Sequence, residues 1–155
     1  MSTIPSADIN EILRHIPHRY PFLLIDRMVS CEPNRWIRVL KNVSACEQFG
    51  ASRSGPLMPQ MLLVEALAQA AGALCHYSGM MSTAERPIMF FAGLDNCRFG
   101  RDAAAGDQVL LHCELKRSLR GVAKLHGTAT VGTETILEAD LTAVVRDIAQ
   151  SAVGL

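Results

Sequence analysis

Glu65 is the residue around which this chain could organise chemistry. It stands in the run Pro56-Leu57-Met58-Pro59-Gln60-Met61-Leu62-Leu63-Val64-Glu65-Ala66-Leu67-Ala68-Gln69-Ala70-Ala71-Gly72, which after Pro59 is apolar on every helical face except at Glu65 and the glutamines. A helix that is apolar all round has to be wrapped by the rest of the fold. An ionised carboxylate in such a place is costly unless it is paired. Glu65 is therefore either satisfied by a specific partner or kept as a working acid or base. Gln69 stands at i+4 on the same face and is the nearest candidate partner.

Other reactive residue types are scattered. The cysteines, at 31, 46, 75, 97 and 113, are odd in number and form no CxxC pair, so neither a zinc site nor a disulfide framework is signalled. They read as small buried hydrophobes in a reducing compartment, which places the protein in the cytoplasm. The net charge is zero, which argues against a bulk nucleic-acid or anionic-membrane binder. Residues 1–10 have no basic stretch followed by an apolar core, so no signal peptide is expected. The apolar run of the central helix is broken by Pro59, Gln60, Glu65 and Gln69 and reads as a core helix rather than a membrane span.

The elements that position Glu65 follow from periodicity. Residues 8–15 form a short amphipathic helix with Asp8 as N-cap and Ile9, Ile12 and Leu13 on one face, and Pro17 stops it. Residues 22–32 are strand-like, Pro33-Asn34 turns the chain, and residues 36–43 make a second strand. Residues 44–55, rich in Ser, Gly and Ala, are loop. The central helix runs over about 59–77, starting at Pro59, where a first-turn proline is tolerated, with Gly79 just past its end. Strands follow at 88–99, 109–117, 122–131 after the Arg120-Gly121 turn, and 135–146, with period-two alternation in the later ones. The expectation is one α+β domain over residues 1–155, a long central helix wrapped by a curved antiparallel sheet.

Three segments carry a family resemblance. They are Ile16-Pro17-His18-Arg19-Tyr20-Pro21-Phe22-Leu23-Leu24-Ile25-Asp26, then Pro56-Leu57-Met58-Pro59 with Leu63-Val64-Glu65-Ala66-Leu67-Ala68-Gln69, then Phe91-Ala92-Gly93-Leu94-Asp95-Asn96-Cys97-Arg98-Phe99 with Gly106-Asp107-Gln108. In this order they resemble the 3-hydroxyacyl-acyl carrier protein dehydratases of the FabZ type, from about Ile16 to Val145. The resemblance implies the hot-dog fold. It also implies a reaction in which a His takes the proton next to the thioester carbonyl and the helix Glu, from the other subunit, assists the leaving hydroxyl. Backbone N–H groups at the helix N-terminus hold the thioester oxygen. Glu65 matches the family's Glu, and the donors become Gln60 and Met61, with Pro59, Gln69 and Ala51 supporting the site.

The family's His has no counterpart. Its position, after Gly50, is taken by Ala51, followed by Ser52 and Arg53 where Phe and Pro are usual, and the Gly after Met-Pro is Gln60. The loop is also shorter between Glu47 and Gly50. No other histidine is an obvious substitute. His76 is eleven residues beyond Glu65, about 16 Å along a helix. His112 and His126 fall on the polar phase of their strands and read as solvated, and His15 and His18 flank Pro17, with His18 expected to be structural. Losing a general base costs on the order of 10²–10⁴ in rate.

Three readings stay open at this point. One is a dehydratase of fatty acid or specialised lipid and polyene biosynthesis, slow alone or completed in a heterodimer by a His-bearing homologue. Another is a non-catalytic acyl-binding or partner subunit, a pseudoenzyme with Glu65 satisfied by Gln69 or by the backbone. The third is a hot-dog acyl thioesterase using Glu65, with the Gln60 carboxamide either positioning water or capping the helix and filling the space of the absent imidazole. The resemblance makes Leu63, Leu67, Met89, Phe90 and Phe91 the candidate acyl-tunnel walls. It makes acyl carrier protein the partner; because that protein is acidic, Arg98, Arg101, Lys116, Arg117 and Arg120 become its candidate docking cations. It implies a homodimer or a higher assembly, and neither cofactor nor metal.

Overall fold

The computed structural model describes residues 3–47, 51–52, 55–81 and 87–147. The first helix, α1 (Ile9–His15), is capped by the Asp8 side chain, which accepts from the Glu11 N–H at 3.1 Å. The long helix, α2 (Gln60–Tyr77), follows Pro59 and gives way to Gly79, whose φ of +66° suits a residue without Cβ. The strands are β1 (Arg27–Glu32), β2 (Trp36–Asn42), β3 (Ala51–Ser52), β4 (Gly55–Met58), β5 (Pro87–Phe99), β6 (Ala103–Ala104), β7 (Gln108–Leu119), β8 (Val122–Val131) and β9 (Glu134–Asp147). Six of them form one antiparallel sheet in the order β1-β2-β7-β8-β9-β5. The expected α+β arrangement of a long helix against an antiparallel sheet is present.

The sheet curls over α2 because one face of each strand is apolar. Val109, Leu111 and Cys113 of β7, Ala123, Leu125 and Ala129 of β8, and Leu137, Ala139, Leu141 and Ala143 of β9 are buried. Their alternate neighbours carry the polar residues, as the period of two requires. The β7–β8 hairpin closes through Arg120 and Gly121, both at positive φ, between the paired Leu119 and Val122. That two-residue turn matches the twist of the strands it joins.

One glycine sets how closely the helix approaches. A Cβ on Gly127 of β8 would lie 2.5 Å from Cδ2 and 2.8 Å from Cγ of Leu67, which is fully buried. Beside it, the Cys113 thiol contacts the Leu67 carbonyl oxygen at 3.4 Å. Burial also sets the thiol chemistry. It pushes Cys75 up to about 11 and Cys31, helped by the nearby Glu32 charge, to about 11. Cys46 is exposed and Cys97 half-buried, against the expectation that all five are buried.

Two sequence expectations are corrected. The 22–32 strand begins only at Arg27. Before it the chain turns, with Phe22 N–H and Leu23 N–H both donating to the Arg19 carbonyl, and the backbone of Phe22 and Leu24 is satisfied by a side chain of α2 instead of a strand neighbour. Within the 44–55 loop the structure has β3 and the start of β4. β3 pairs with β4 (Ala51↔Pro56, Ser52↔Gly55), and β4 pairs with β6 through Leu57↔Ala104 and Met58↔Ala103. Met58 and Ala103 are fully buried, so this small sheet seats the start of α2.

Replacing Gly127 by alanine forces Leu67 aside. The gain from stiffening a strand glycine is about 0.5–1 kcal/mol, and overpacking a filled core costs about 1–3 kcal/mol. Gly127→Ala should therefore lower the unfolding free energy measured by urea titration, and Gly127→Val should lower it further.

Candidate functional site

The two faces of α2 do different things. Leu63, Ala66, Leu67, Ala70 and Leu74 pack into the core. Met61, Val64, Glu65, Ala68 and Gly72, at the complementary i+3 and i+4 spacings, look away from it and line cavities. The helix is thus not wrapped on all sides within one chain: Met61 is 63% exposed and the Glu65 side chain 29%.

Two cavities meet at Glu65. The first, about 340 Å³, is bounded by Met61, Val64, Ala68 and the β5–β9 residues Phe91, Ala92, Gly93, Leu94 and Leu141. The second, about 350 Å³, is bounded by His15, Ile16, Pro17, His18, Gln69, Gly72, Met81, Met89 and Phe91, again with Glu65 and Ala68. Of the expected acyl walls, Met89 and Phe91 line these spaces. Leu63 and Leu67 do not, because they lie on the core face of α2 and are fully buried. Phe90 does not either, because it alternates with Phe91 on the strand; it is 51% exposed.

Gln69 holds Glu65. Its Nε2 donates to Glu65 Oε1 at 2.9 Å and to the Phe22 carbonyl at 2.8 Å, and its Oε1 accepts from the Leu24 N–H at 2.9 Å. The carboxamide is almost completely buried. Since Leu24 offers only a donor and Phe22 only an acceptor, the amide orientation is fixed by the backbone. Glu65 Oε1 therefore always meets a donor, and Oε2 has no hydrogen-bond partner among the described residues. His18, expected to be structural, stands on the same carboxylate: its Nε2 is 3.5 Å from Glu65 Oε1.

The start of α2 offers donors. Leu62 and Leu63 N–H both reach the Pro59 carbonyl, whereas the N–H groups of Gln60 and Met61 have no acceptor among the described residues. Unused N–H groups at a helix N-terminus favour an oxygen carrying partial negative charge. The Gln60 side chain donates to the Gly100 carbonyl at 3.3 Å, so it is committed to tethering the helix start and not to holding a water.

The remaining histidines are committed elsewhere. His15 meets Glu11 at 2.8 Å and its ring lies 4.2 Å from that of His76, whose ionisation burial lowers. His126 meets Asp140 at 2.7 Å, and His112 is half-buried with burial holding its ionisation down; neither is simply solvated as the strand phase suggested. The candidate docking cations also separate. Arg101 is spoken for by Asp107 at 2.7 Å and Glu134 at 2.9 Å, Lys116 by Glu114 at 2.6 Å, and Arg98 stands 3.9 Å from Glu138. Arg117 and Arg120 have no acidic partner among the described residues, and with Lys124, Leu119 and Val122 they rim a shallow depression of about 360 Å³. Lys124 was not singled out from the sequence; its phase beside Arg117 in the hairpin, where the two pair directly, was the available signal. Ala51 is placed by its backbone in β3, while 48–50 and 53–54, the rest of the altered loop, lie outside the described residues. Among the described residues no group of three His, Cys, Asp or Glu side chains could hold a metal ion, and no helix is long and apolar enough to cross a membrane.

A FabA-like domain profile matches residues 16–140. The chain belongs to the FabA-like family. The 3-hydroxyacyl-acyl-carrier-protein dehydratase FabZ of Aromatoleum aromaticum is 43% identical over 143 residues, covering 91% of this chain and 99% of the relative. FabZ of Variovorax paradoxus is 40% identical over 148 residues, covering 94% and 99%. Among solved structures, the dehydratase heterocomplex ApeI:P from Xenorhabdus doucetiae superposes with a TM-score of 0.75 at 14% identity, covering 88% of this chain and 91% of that one. The smu.793 protein of Streptococcus mutans, bound to acetyl CoA, superposes with a TM-score of 0.66 at 16% identity, covering 85% and 96%. At such identities these two establish the hot-dog fold alone. The sequence resemblance to FabZ-type dehydratases is borne out, and so is the fold it implied.

The Gln69 amide leads to a stability expectation. Gln69→Leu fills the space but strands the buried Leu24 N–H, at about 1–3 kcal/mol, and the part-buried Phe22 carbonyl, at the lower end of that range. Denaturant titration should show a loss of about 2–4 kcal/mol, larger than for Glu65→Gln, which leaves both backbone groups paired.

Proposed function

We propose that this protein dehydrates 3-hydroxyacyl thioesters carried on acyl carrier protein, as an assembly of at least two chains in the cytoplasm, and that Glu65 is its catalytic carboxyl group. The observation that carries the reading is the position of Glu65: among the described residues it is the one ionisable side chain shared by both apolar cavities, with Oε1 held by Gln69 and Oε2 without a partner. Its relatives' FabZ names supply the substrate class.

The chemistry needs a base at C2, an acid at the C3 hydroxyl and a donor for the thioester oxygen. The N–H groups of Gln60 and Met61, at the positive end of α2, would hold that oxygen as charge develops on it. The acyl chain would run along Met61, Ala68, Met89 and Phe91. Neither a metal nor a cofactor enters this scheme.

A second copy is favoured by β5. This 13-residue strand is an edge of the sheet, and Phe90, Phe91, Leu94 and Phe99 along it are exposed, as is Met61 of α2. A long apolar edge strand is a template for pairing with another chain. Ala51 at the family's His position keeps a second reading alive, in which a homologous chain contributes the missing imidazole.

Incubating the purified chain with 3-hydroxyacyl-carrier protein and reading the intact carrier by mass spectrometry tests this directly. Loss of one water is expected, and Glu65→Gln should slow it by roughly 10²–10⁴. Loss of the whole acyl group would replace the dehydratase by a thioesterase. An unchanged spectrum would leave a binding subunit, or one half of a heterodimer.

Docking of the acidic carrier would fall to Arg117, Arg120 and Lys124. Charge reversal at Arg117 and Lys124 together should weaken carrier binding about tenfold or more at low salt and flatten its salt dependence. Titration calorimetry at two ionic strengths measures both, and unchanged affinity would remove the hairpin as the docking surface.

A further inference from the structure

His18 sits on the strap between α1 and β1, outside every regular element, yet its ring borders the second cavity beside Glu65. Nε2 is 3.5 Å from Glu65 Oε1, and both side chains are about one-third exposed, at 32% and 29%. Nδ1 is buried and has no hydrogen-bond partner among the described residues. The ring is held from its own strap. Arg19 donates to the carbonyls of Leu13, Ile16 and His18 at 2.8–2.9 Å, tying the turn to the end of α1. The Phe22 ring stacks 6.2 Å away at an interplanar angle of 22°. Gln69 grips Phe22 and Leu24 on the other side, so one side chain fixes both His18's strap and Glu65's carboxylate.

The titratable groups around that cavity are His15, His18 and Glu65. His15 is committed to Glu11 and to the His76 ring. Among the described residues that leaves His18 and Glu65 as the two titratable groups facing each other at this cavity.

We propose that His18 and Glu65 of one chain form the acid–base pair of the dehydration, so that His18 supplies the imidazole which the loop, with Ala51, does not. The inference rests on the dehydratase reading. In the step, the Glu65 carboxylate takes the C2 proton through Oε2. The C2–H electron pair becomes the C2=C3 double bond, and the C3–O bond breaks. The hydroxyl leaves as water by taking the proton of the His18 imidazolium. Glu65 then holds one proton on Oε2 and His18 has lost one; Glu65 releases its proton to solvent and His18 takes one up, since both side chains are about one-third exposed, and the pair is restored. No external oxidant or co-reactant is needed. The 3.5 Å gap suits this role: it exceeds an ordinary hydrogen bond, which leaves Nε2 open to the substrate oxygen, yet one small shift closes it.

The experiment compares parent, His18→Ala and His18→Asn in the carrier mass assay, with circular dichroism melts to confirm folding. Both variants should lose roughly 10²–10⁴ in kcat/KM. Free imidazole should restore part of the His18→Ala rate, and the pH–rate profile should lose the limb that the imidazole contributes. A His18→Asn variant within about threefold of the parent overturns the inference and leaves the dehydratase reading standing. So does a loss with no imidazole rescue and an unchanged profile, which marks a structural role. A parent that removes no water overturns the dehydratase reading and this inference together.

Discussion

The buried carboxamide of Gln69 is the contact on which the site depends. It joins three things that are distant in sequence or pull in different directions: the backbone of Phe22 and Leu24, and the carboxylate of Glu65. A buried amide is costly unless its groups are matched, and here both N–H donors and the oxygen are used. Because the strap offers one donor and one acceptor in fixed places, the amide cannot be flipped without losing two bonds. The consequence reaches the chemistry. Glu65 Oε1 is always an acceptor, so a proton on this carboxyl group sits on Oε2.

The same helix divides its labour by periodicity. Leu63, Leu67 and Leu74 look into the sheet, and Gly127 lets Leu67 come close. Met61, Val64, Glu65 and Ala68 look outward. That outward face and the exposed Phe91 and Leu94 of β5 border the same cavity. Apolar area exposed along an edge strand and the helix beside it is costly to leave in water. The geometry that opens the cavities to substrate is therefore also the geometry that asks for a second copy to cover them.

Most of the fold was legible because its elements are long and strongly patterned. The bounds of α2, the Asp8 cap, the turn at Arg120-Gly121 and the alternation of β7, β8 and β9 all follow from side-chain period and glycine placement. The short strands β3, β4 and β6 were not, since two to four residues carry no measurable period. Residues 22–26 read as strand because their apolar pattern is real, but the backbone partner that Phe22 and Leu24 find is a side chain 45 or so positions away. In the site, Glu65 and Gln69 were visible from i+4 spacing. His18 was not tied to Glu65, because 47 positions separate them and only the Arg19 turn brings the strap back across α2.

The cluster His18, Glu65 and Gln69 also bears on whether the chain works on acyl groups or merely holds them. A protein that only binds an aliphatic chain gains from apolar walls, and polar groups in such walls are often a net cost even when paired. Here four polar side chains, His15, His18, Glu65 and Gln69, line one otherwise apolar space, and the hydrogen bonds among them leave one Glu65 oxygen without a partner among the described residues. Packing alone would favour leucine or methionine at positions 65 and 69. The arrangement is economical only if that oxygen meets a polar part of the ligand, and in a 3-hydroxyacyl thioester the polar part is the short stretch from the hydroxyl to the carbonyl. Met61, whose N–H has no acceptor among the described residues, stands one helical turn ahead of Glu65 and lines the first cavity with it.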